Sequence, residues 1–289
     1  MATLATYQAD VLRILHDPNL NTYTAADVQS AVNEARRQLV ADTGCLRSLQ
    51  PLYISQGIEQ YPFGQINGYF IVSGGSGYTN PTITISGGNP TTQATATASL
   101  TGGVITGITI TNPGAGYQFE QSPITVSIVD GTGVGASIQF GCISVNTLDI
   151  LQINLIWTTT RVTLDWRPWS EFSTEMRVWT NWQQRPAMWS QYGEQSIYIG
   201  PLPDQSYQCE VDTILVPVDL TNTTSIDPIS VAYQAPIKFY AAYILKMKEQ
   251  SFGEADWFKQ QYQIRVSEVR SQVASRRIPS MYEVYGVQW

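Results

Sequence analysis

The chain has 289 residues, 13% of them charged, with 16 basic side chains against 23 acidic and a net charge of −7. That length suits one large domain or two smaller ones, and the charge content lies well below the quarter or so usual for soluble proteins. Three separated cysteines (Cys45, Cys142, Cys209), without a CxxC pair, favour neither a disulfide framework nor a zinc site and point to a reducing compartment.

The N-terminus "MATLATYQADVLRIL" lacks the basic region, unbroken apolar run and cleavage site of a signal peptide. No stretch offers the roughly 18 consecutive apolar residues of a membrane span. Charge is unevenly spread: residues 231–277 carry eight basic and four acidic groups, while residues 1–230 carry a net −10. The basic stretch reads either as solvated helix faces or as a docking surface for an acidic partner. An acidic body that repels phosphates disfavours tight DNA binding.

In chain order, two helices come first. Leu4, Tyr7, Val11, Ile14 and Leu15 share one helical face, predicting a helix over 4–16 that stops at "HDPN". Thr24 with Asp27 three residues on has capping-box spacing and opens a second helix over 24–43, which Gly44 is placed to end. The period then changes to two over 52–66. Residues 67–142 form a segment whose only ionised side chains are Glu120 and Asp130. Its short Thr- and Ile-rich runs, cut by Gly and Pro, predict a small antiparallel sandwich or barrel. Within it "GSGYTNPTITIS" is echoed by "GAGYQFEQSPITVS", about forty residues on. Two copies are too few for a solenoid and suit a domain of two similar halves.

Strand character resumes over 143–216, including a Pro-x-Pro turn. The last third returns to helix over 236–250 (Ile237, Tyr240, Ala241, Ile244, Leu245) and 254–276 (Phe258, Tyr262, Val266, Val269, Val273). An aromatic tail occupies 278–289. The expected fold class is therefore α+β: a helical bundle of N- and C-terminal helices plus an antiparallel β domain, with an inserted all-β domain. Residues 1–66 and 143–289 form the body, and residues 67–142 the sandwich- or barrel-like insert.

Catalytic signatures are sparse. His16 is the only histidine and stands at a helix end, where the helix dipole favours it. The G-x-S-x-G elbow is absent. "GTGVGAS" lacks the Lys-Ser/Thr and the following helix of a phosphate loop. Asp165, Glu171 and Glu175 lie among Trp157, Trp166, Trp169, Trp179, Trp182 and Trp189. That grouping fits a glycosidase or sugar-binding cleft, or else indoles that fill a core or a subunit contact. Tyr78 and Tyr117 offer a further sugar-binding reading. The expectation is a protein with no catalytic residues, no metal and no cofactor.

The stretch from Leu164 to Leu220 resembles the head-to-tail adaptor (connector) proteins of tailed bacteriophages, especially short-tailed ones. The elements that carry it are a Trp/Phe-rich loop (Trp169, Phe172), Pro186 to Trp189, a strand from Ile197 to Pro203, Tyr207, and Pro217 to Leu220. The paired helices at the start and the helical end match that family's layout. The Gly-x-Gly-Tyr repeat separately resembles small β modules inserted in phage virion proteins.

The resemblance implies a structural virion protein at the head-to-tail interface, assembled in the host cytoplasm. It implies a homo-oligomeric ring, commonly of twelve copies, with the portal protein above and tail nozzle, tail or fibre proteins below. Genomic DNA would pass through without sequence-specific binding, and no membrane is involved. Portal docking falls to Arg276, Arg277, Ile278, Met281, Tyr282, Tyr285 and Trp289 in the tail, unless that end is disordered. Subunit or tail contacts fall to Trp166, Trp169, Phe172, Trp179, Trp182 and Trp189. The alternative is a carbohydrate-binding or carbohydrate-degrading tail component.

Overall fold

The computed structural model describes residues 2–118, 122–177 and 182–275. Helices α1 (Leu4–Ile14) and α2 (Ala25–Thr43) lead into strands β1 (Arg47–Ile54) and β2 (Gln60–Pro62). Six strands follow: β3 (Gly68–Ser76), β4 (Thr82–Ser86), β5 (Thr95–Thr101), β6 (Val104–Asn112), β7 (Thr125–Val129) and β8 (Val134–Gly141). Next come β9 (Thr147–Trp157), β10 (Thr160–Thr163), β11 (Asp165–Trp166), α3 (Trp169–Met176) and β12 (Gln183–Gln184). The chain continues through β13 (Met188–Gln191), β14 (Ser196–Gly200), β15 (Leu202–Pro203) and β16 (Tyr207–Leu215) to α4 (Ile237–Lys248) and α5 (Phe252–Ser275). The fold is α+β, as expected, and no barrel closes among the described residues. Helix α3 departs from expectation: Trp169, Phe172 and Met176 keep helical spacing in a stretch read as loop.

The chain divides into two compact units, residues 1–47 with 216–289, and residues 48–215. The cut falls at the ends of the helices, not at the edges of 67–142. In the helical unit, Thr24 and Asp27 close the expected capping box, and Gly44 ends α2 in the left-handed region at φ +58°. The stripe Ala255, Phe258, Tyr262, Val266, Val269 and Val273 of α5 is buried, as are Val28, Val32, Ala35 and Leu39 of α2.

The polar centre of this unit is Arg36, fully buried, whose Nη2 donates to Asp227 at 2.8 Å. Its Nη1 donates to the Val218 carbonyl at 2.9 Å. Asp227 also accepts from the Tyr7 hydroxyl at 2.6 Å and the Ile229 N–H at 3.1 Å. Burial, then the neighbouring Asp227 charge, pushes the Tyr7 phenol far up. One turn earlier, Asn33 accepts from the Leu220 N–H at 2.9 Å and donates to the Leu220 carbonyl at 3.2 Å. The segment after β16 is thereby strapped along α2 through its own backbone groups.

In the β unit, one sheet runs β1-β16-β9-β10 and a second β11-β13-β14-β2. They share a core that includes Leu52, Ile54, Tyr61, Ile153, Leu155, Trp189, Ile197, Ile199 and Val211. Buried Gln50 ties it together, donating to the Thr213 hydroxyl at 2.9 Å and accepting from the Ser144 N–H at 2.7 Å.

Residues 67–142 keep a separate core of their own. The Asn67 N–H donates to the Gly141 carbonyl at 3.1 Å, so the segment leaves and returns at one place. Inner positions alternate along three of its strands: Ile83 and Ile85 on β4, Ala96, Ala98 and Leu100 on β5, Val126 and Ile128 on β7.

The repeated motif has a repeated structural role. Gly75 and Gly77 have φ of +63° and +75°, and their counterparts Gly114 and Gly116 have +69° and +77°. Only glycine takes these conformations without strain. The turn folds each following tyrosine inward, where its hydroxyl accepts a backbone N–H: Ala136 to Tyr78 at 3.1 Å, Ala94 to Tyr117 at 2.8 Å. The pairing repeats as well, since β3 pairs with β8 as β6 pairs with β5, and β4 pairs with β7 across the two halves. With Tyr78 and Tyr117 buried, neither ring is a sugar platform.

Two outcomes are expected in chemical denaturation. Arg36→Met strands a buried carboxylate and lowers stability by about 3–5 kcal/mol, part of which Arg36→Met/Asp227→Leu recovers. Tyr117→Phe leaves the buried Ala94 N–H without its acceptor and costs about 1–3 kcal/mol, more than Tyr78→Phe, whose bond is only partly buried.

Candidate functional site

The candidate catalytic groups do not converge. His16 is exposed just past α1 with φ +56°. Glu171, in the first turn of α3, is exposed and ion-paired with Arg167 just before the helix at 3.7 Å, and Asp165 and Glu175 are exposed. The "GTGVGAS" glycines run into strand β8, so no helix N-terminus stands behind them. Among the described residues, no group of three or more His, Cys, Asp or Glu side chains could hold a metal ion. None of the three cysteines is in a disulfide. Burial pushes the Cys209 thiol well above its usual range.

The tryptophan-rich stretch is organised around Trp169, the first residue of α3. Its ring lies 4.5 Å from Tyr192, 4.7 Å from Tyr198 and 6.0 Å from Phe172, centroid to centroid. The Arg177 guanidinium sits 5.3 Å from the same ring and 5.5 Å from Tyr198, held there by Glu59 at 3.0 Å. Pro168 precedes the helix, with φ −59° suited to its start. A second cluster forms at Trp157, which packs 5.8 Å from Tyr207 with Arg185 5.2 Å away. Burial, then the bond to Asp204, pushes the Tyr207 phenol up to about 12. On the outer face, Arg161 grips Glu210 with two bonds of 2.7 and 2.8 Å. That grip holds the Glu210 carboxyl below its usual range.

The six residues expected to make subunit or tail contacts divide sharply. Phe172 and Trp189 are 1% and 3% exposed and belong to this chain's own interior, so they offer nothing to a second subunit. Trp169 is half-buried in its aromatic cluster. Trp166 and Trp182 are exposed at 59% and 40%, and Tyr192, absent from the expected set, at 54%. Trp179 lies outside the described residues, as do Arg276, Arg277, Ile278, Met281, Tyr282, Tyr285 and Trp289. Tyr192 follows β13 closely, but nothing in local sequence distinguishes it from a core aromatic.

Strand pairing explains the division. Trp166 on β11 stands opposite Trp189 on β13 in parallel register. Trp189 faces the core, while β11 is the last strand of its sheet and leaves Trp166 uncovered. Beside Trp166 runs a groove of about 440 Å³, lined also by Asp149, Leu151, Trp169, Ser190 and Gln191. None of Asp165, Glu171 and Glu175 lines it.

Fold and site together define an α+β protein whose conspicuous features are surfaces, not a gathered catalytic constellation among the described residues. No family model and no curated protein matches the chain.

The two register partners should respond oppositely to truncation. Trp189→Ala is expected to lower unfolding stability by about 3–5 kcal/mol. Trp166→Ala should stay within about 0.5 kcal/mol of the parent, as surface changes do.

Proposed function

We propose that the chain is a structural, non-catalytic virion protein of the head-to-tail adaptor kind. In this reading it forms a ring that joins the portal to the tail and continues the DNA channel. The observation that carries the reading is the large aromatic and aliphatic surface each unit leaves uncovered in a single copy. In the β unit this comprises Trp182 and Tyr192; in the helical unit, Phe252, Trp257 and Ile264. Isolated exposed apolar residues need no explanation, but several large uncovered side chains in each unit suit contact areas. A ring covers two different patches per copy, because each contact is heterologous and repeats around the axis.

The layout supports the same reading. Both chain ends build one helical unit, and the strands fall between them, as in the family resembled. Pro217 to Leu220, part of the recurring pattern, is the segment that Arg36 and Asn33 hold against α2. That part of the pattern thus corresponds to a structural strap. An acidic body offers DNA phosphates few cations, so a duplex inside such a ring displaces few counterions and slides freely.

Light scattering of the purified chain, alone and mixed with its portal, tests the reading. Ring-sized mass in either sample, with closed rings in negative stain, is the expected outcome; a monomer in both overturns it. A chain lacking residues 278–289 should remain folded and lose portal binding.

A further inference from the structure

The groove beside Trp166 is open because two strands stop short. β10 covers β9 only from Asn154 to Trp157, so Asp149 to Leu151 have no β10 partner. β11 pairs with β13 only at Met188 and Trp189, leaving Ser190 and Gln191 beyond its end. The gap is walled by apolar and polar groups together. Trp166 and Leu151 present exposed apolar surface. The Asp149 carboxylate uses one oxygen on the Ile150 N–H at 2.9 Å and keeps the other as an acceptor. Gln191 adds an amide with both donor and acceptor. Ser190 is 1% exposed, and its hydroxyl has no hydrogen-bond partner. A buried hydroxyl left unpaired is destabilising and calls for an explanation.

We propose that this groove is a binding site for a neutral carbohydrate chain. The flat indole of Trp166 suits the C–H face of a sugar ring, and the surrounding acceptors and donors suit its hydroxyls. Its volume falls within the range of about 300–1,000 Å³ typical of small-ligand pockets. No Lys or Arg lines it among the described residues, which disfavours phosphorylated or acidic glycans. A cationic ligand would satisfy Asp149 and the indoles but leave the Ser190 hydroxyl unpaired. A sugar hydroxyl is the partner that Ser190 lacks. Occupation of the site by a soluble sugar is measurable whether or not a ring forms.

Saturation-transfer NMR and calorimetry on the full chain, with cellotetraose, maltotetraose and chitotetraose as probes, provide the test. Saturable binding of at least one probe is expected, weakened about tenfold or more by Trp166→Ala and less by Trp166→Phe. Ser190→Ala separates binding from folding. It removes an unpaired hydroxyl, so the melting temperature should hold or rise while affinity falls several-fold. No saturable binding of any probe would overturn the proposal, as would affinity unchanged by both Trp166→Ala and Ser190→Ala. Binding of tetramethylammonium without any of the three sugars would also overturn it, showing a cation site.

Discussion

A buried ion pair between Arg36 and Asp227 makes one unit out of the two ends of the chain. Taking two charges out of water is expensive, and Coulomb attraction alone does not repay it; the surrounding hydrogen bonds must. Here they are supplied from four places: Tyr7 of α1, Asn33 of α2, and the Val218 carbonyl and Ile229 N–H of the segment after β16. Every one of those groups is fixed by the pair and fixes it in return. Removing Asp227 would leave the Tyr7 hydroxyl, one Arg36 nitrogen and the Ile229 N–H without their shared acceptor, while the bonds of Asn33 to Leu220 and of Arg36 to Val218 remain. The consequence reaches the β unit through connectivity: the chain enters it from α2 through β1 and leaves through β16. Those strands are neighbours in one sheet, where the Thr213 hydroxyl donates to the Ser48 carbonyl at 3.0 Å.

What the sequence made legible follows from the range of the interactions concerned. Helix stripes and caps are local, so Thr24 with Asp27, Gly44, and the α5 stripe from Phe258 to Val273 could be read directly. The Gly-x-Gly-Tyr repeat was legible as a repeat, but the inward turn of its tyrosines was not, because their partners Ala136 and Ala94 lie far off in sequence. Arg36 was not, since nothing near it in sequence says that its partner waits at Asp227. Helix α3 was missed for another reason. Its Trp169, Phe172 and Met176 keep helical spacing, but crowded aromatics carry strand propensity, and only eight residues are helical. The groove was illegible altogether, because it is made by where β10 and β11 end.

The aromatics show how little composition says about use. Tyr78 and Tyr117 sit in the most conspicuous motif of the chain, yet each serves as an internal acceptor for a backbone N–H. Trp189 and Phe172 sit in the stretch that carries the family resemblance, and both are interior. Exposure falls instead to Trp166, Trp182 and Tyr192, close to these in sequence. Register partners on neighbouring strands point to the same face, so Trp166 is uncovered because β11 is the edge strand of its sheet, while Trp189, one strand further in, closes the core. The order of aromatics along the chain thus does not say which of them face solvent, and the surface chemistry has to be read from the pairing.

The insert carries the same logic to its limit. Among its described residues the one ionised side chain is Asp130, and it is fully engaged. Its carboxylate accepts from the Thr79, Asn80 and Gly133 N–H groups at 2.9, 3.1 and 3.1 Å, and these backbone bonds lower it to about 2. The outer face of β4, β5 and β7 presents Thr82, Thr84, Ser86, Thr95, Thr97, Ser99, Thr125 and Ser127. Several of these hydroxyls bond one another, as Ser86 does with Thr125 at 2.9 Å and Thr95 with Thr111 at 2.6 Å. A face whose charges are consumed and whose hydroxyls are partly paired exerts no long-range pull on a charged neighbour. Whatever it meets must come into contact before it is recognised, which suits a module carried on an assembly better than one that steers a partner in from solution.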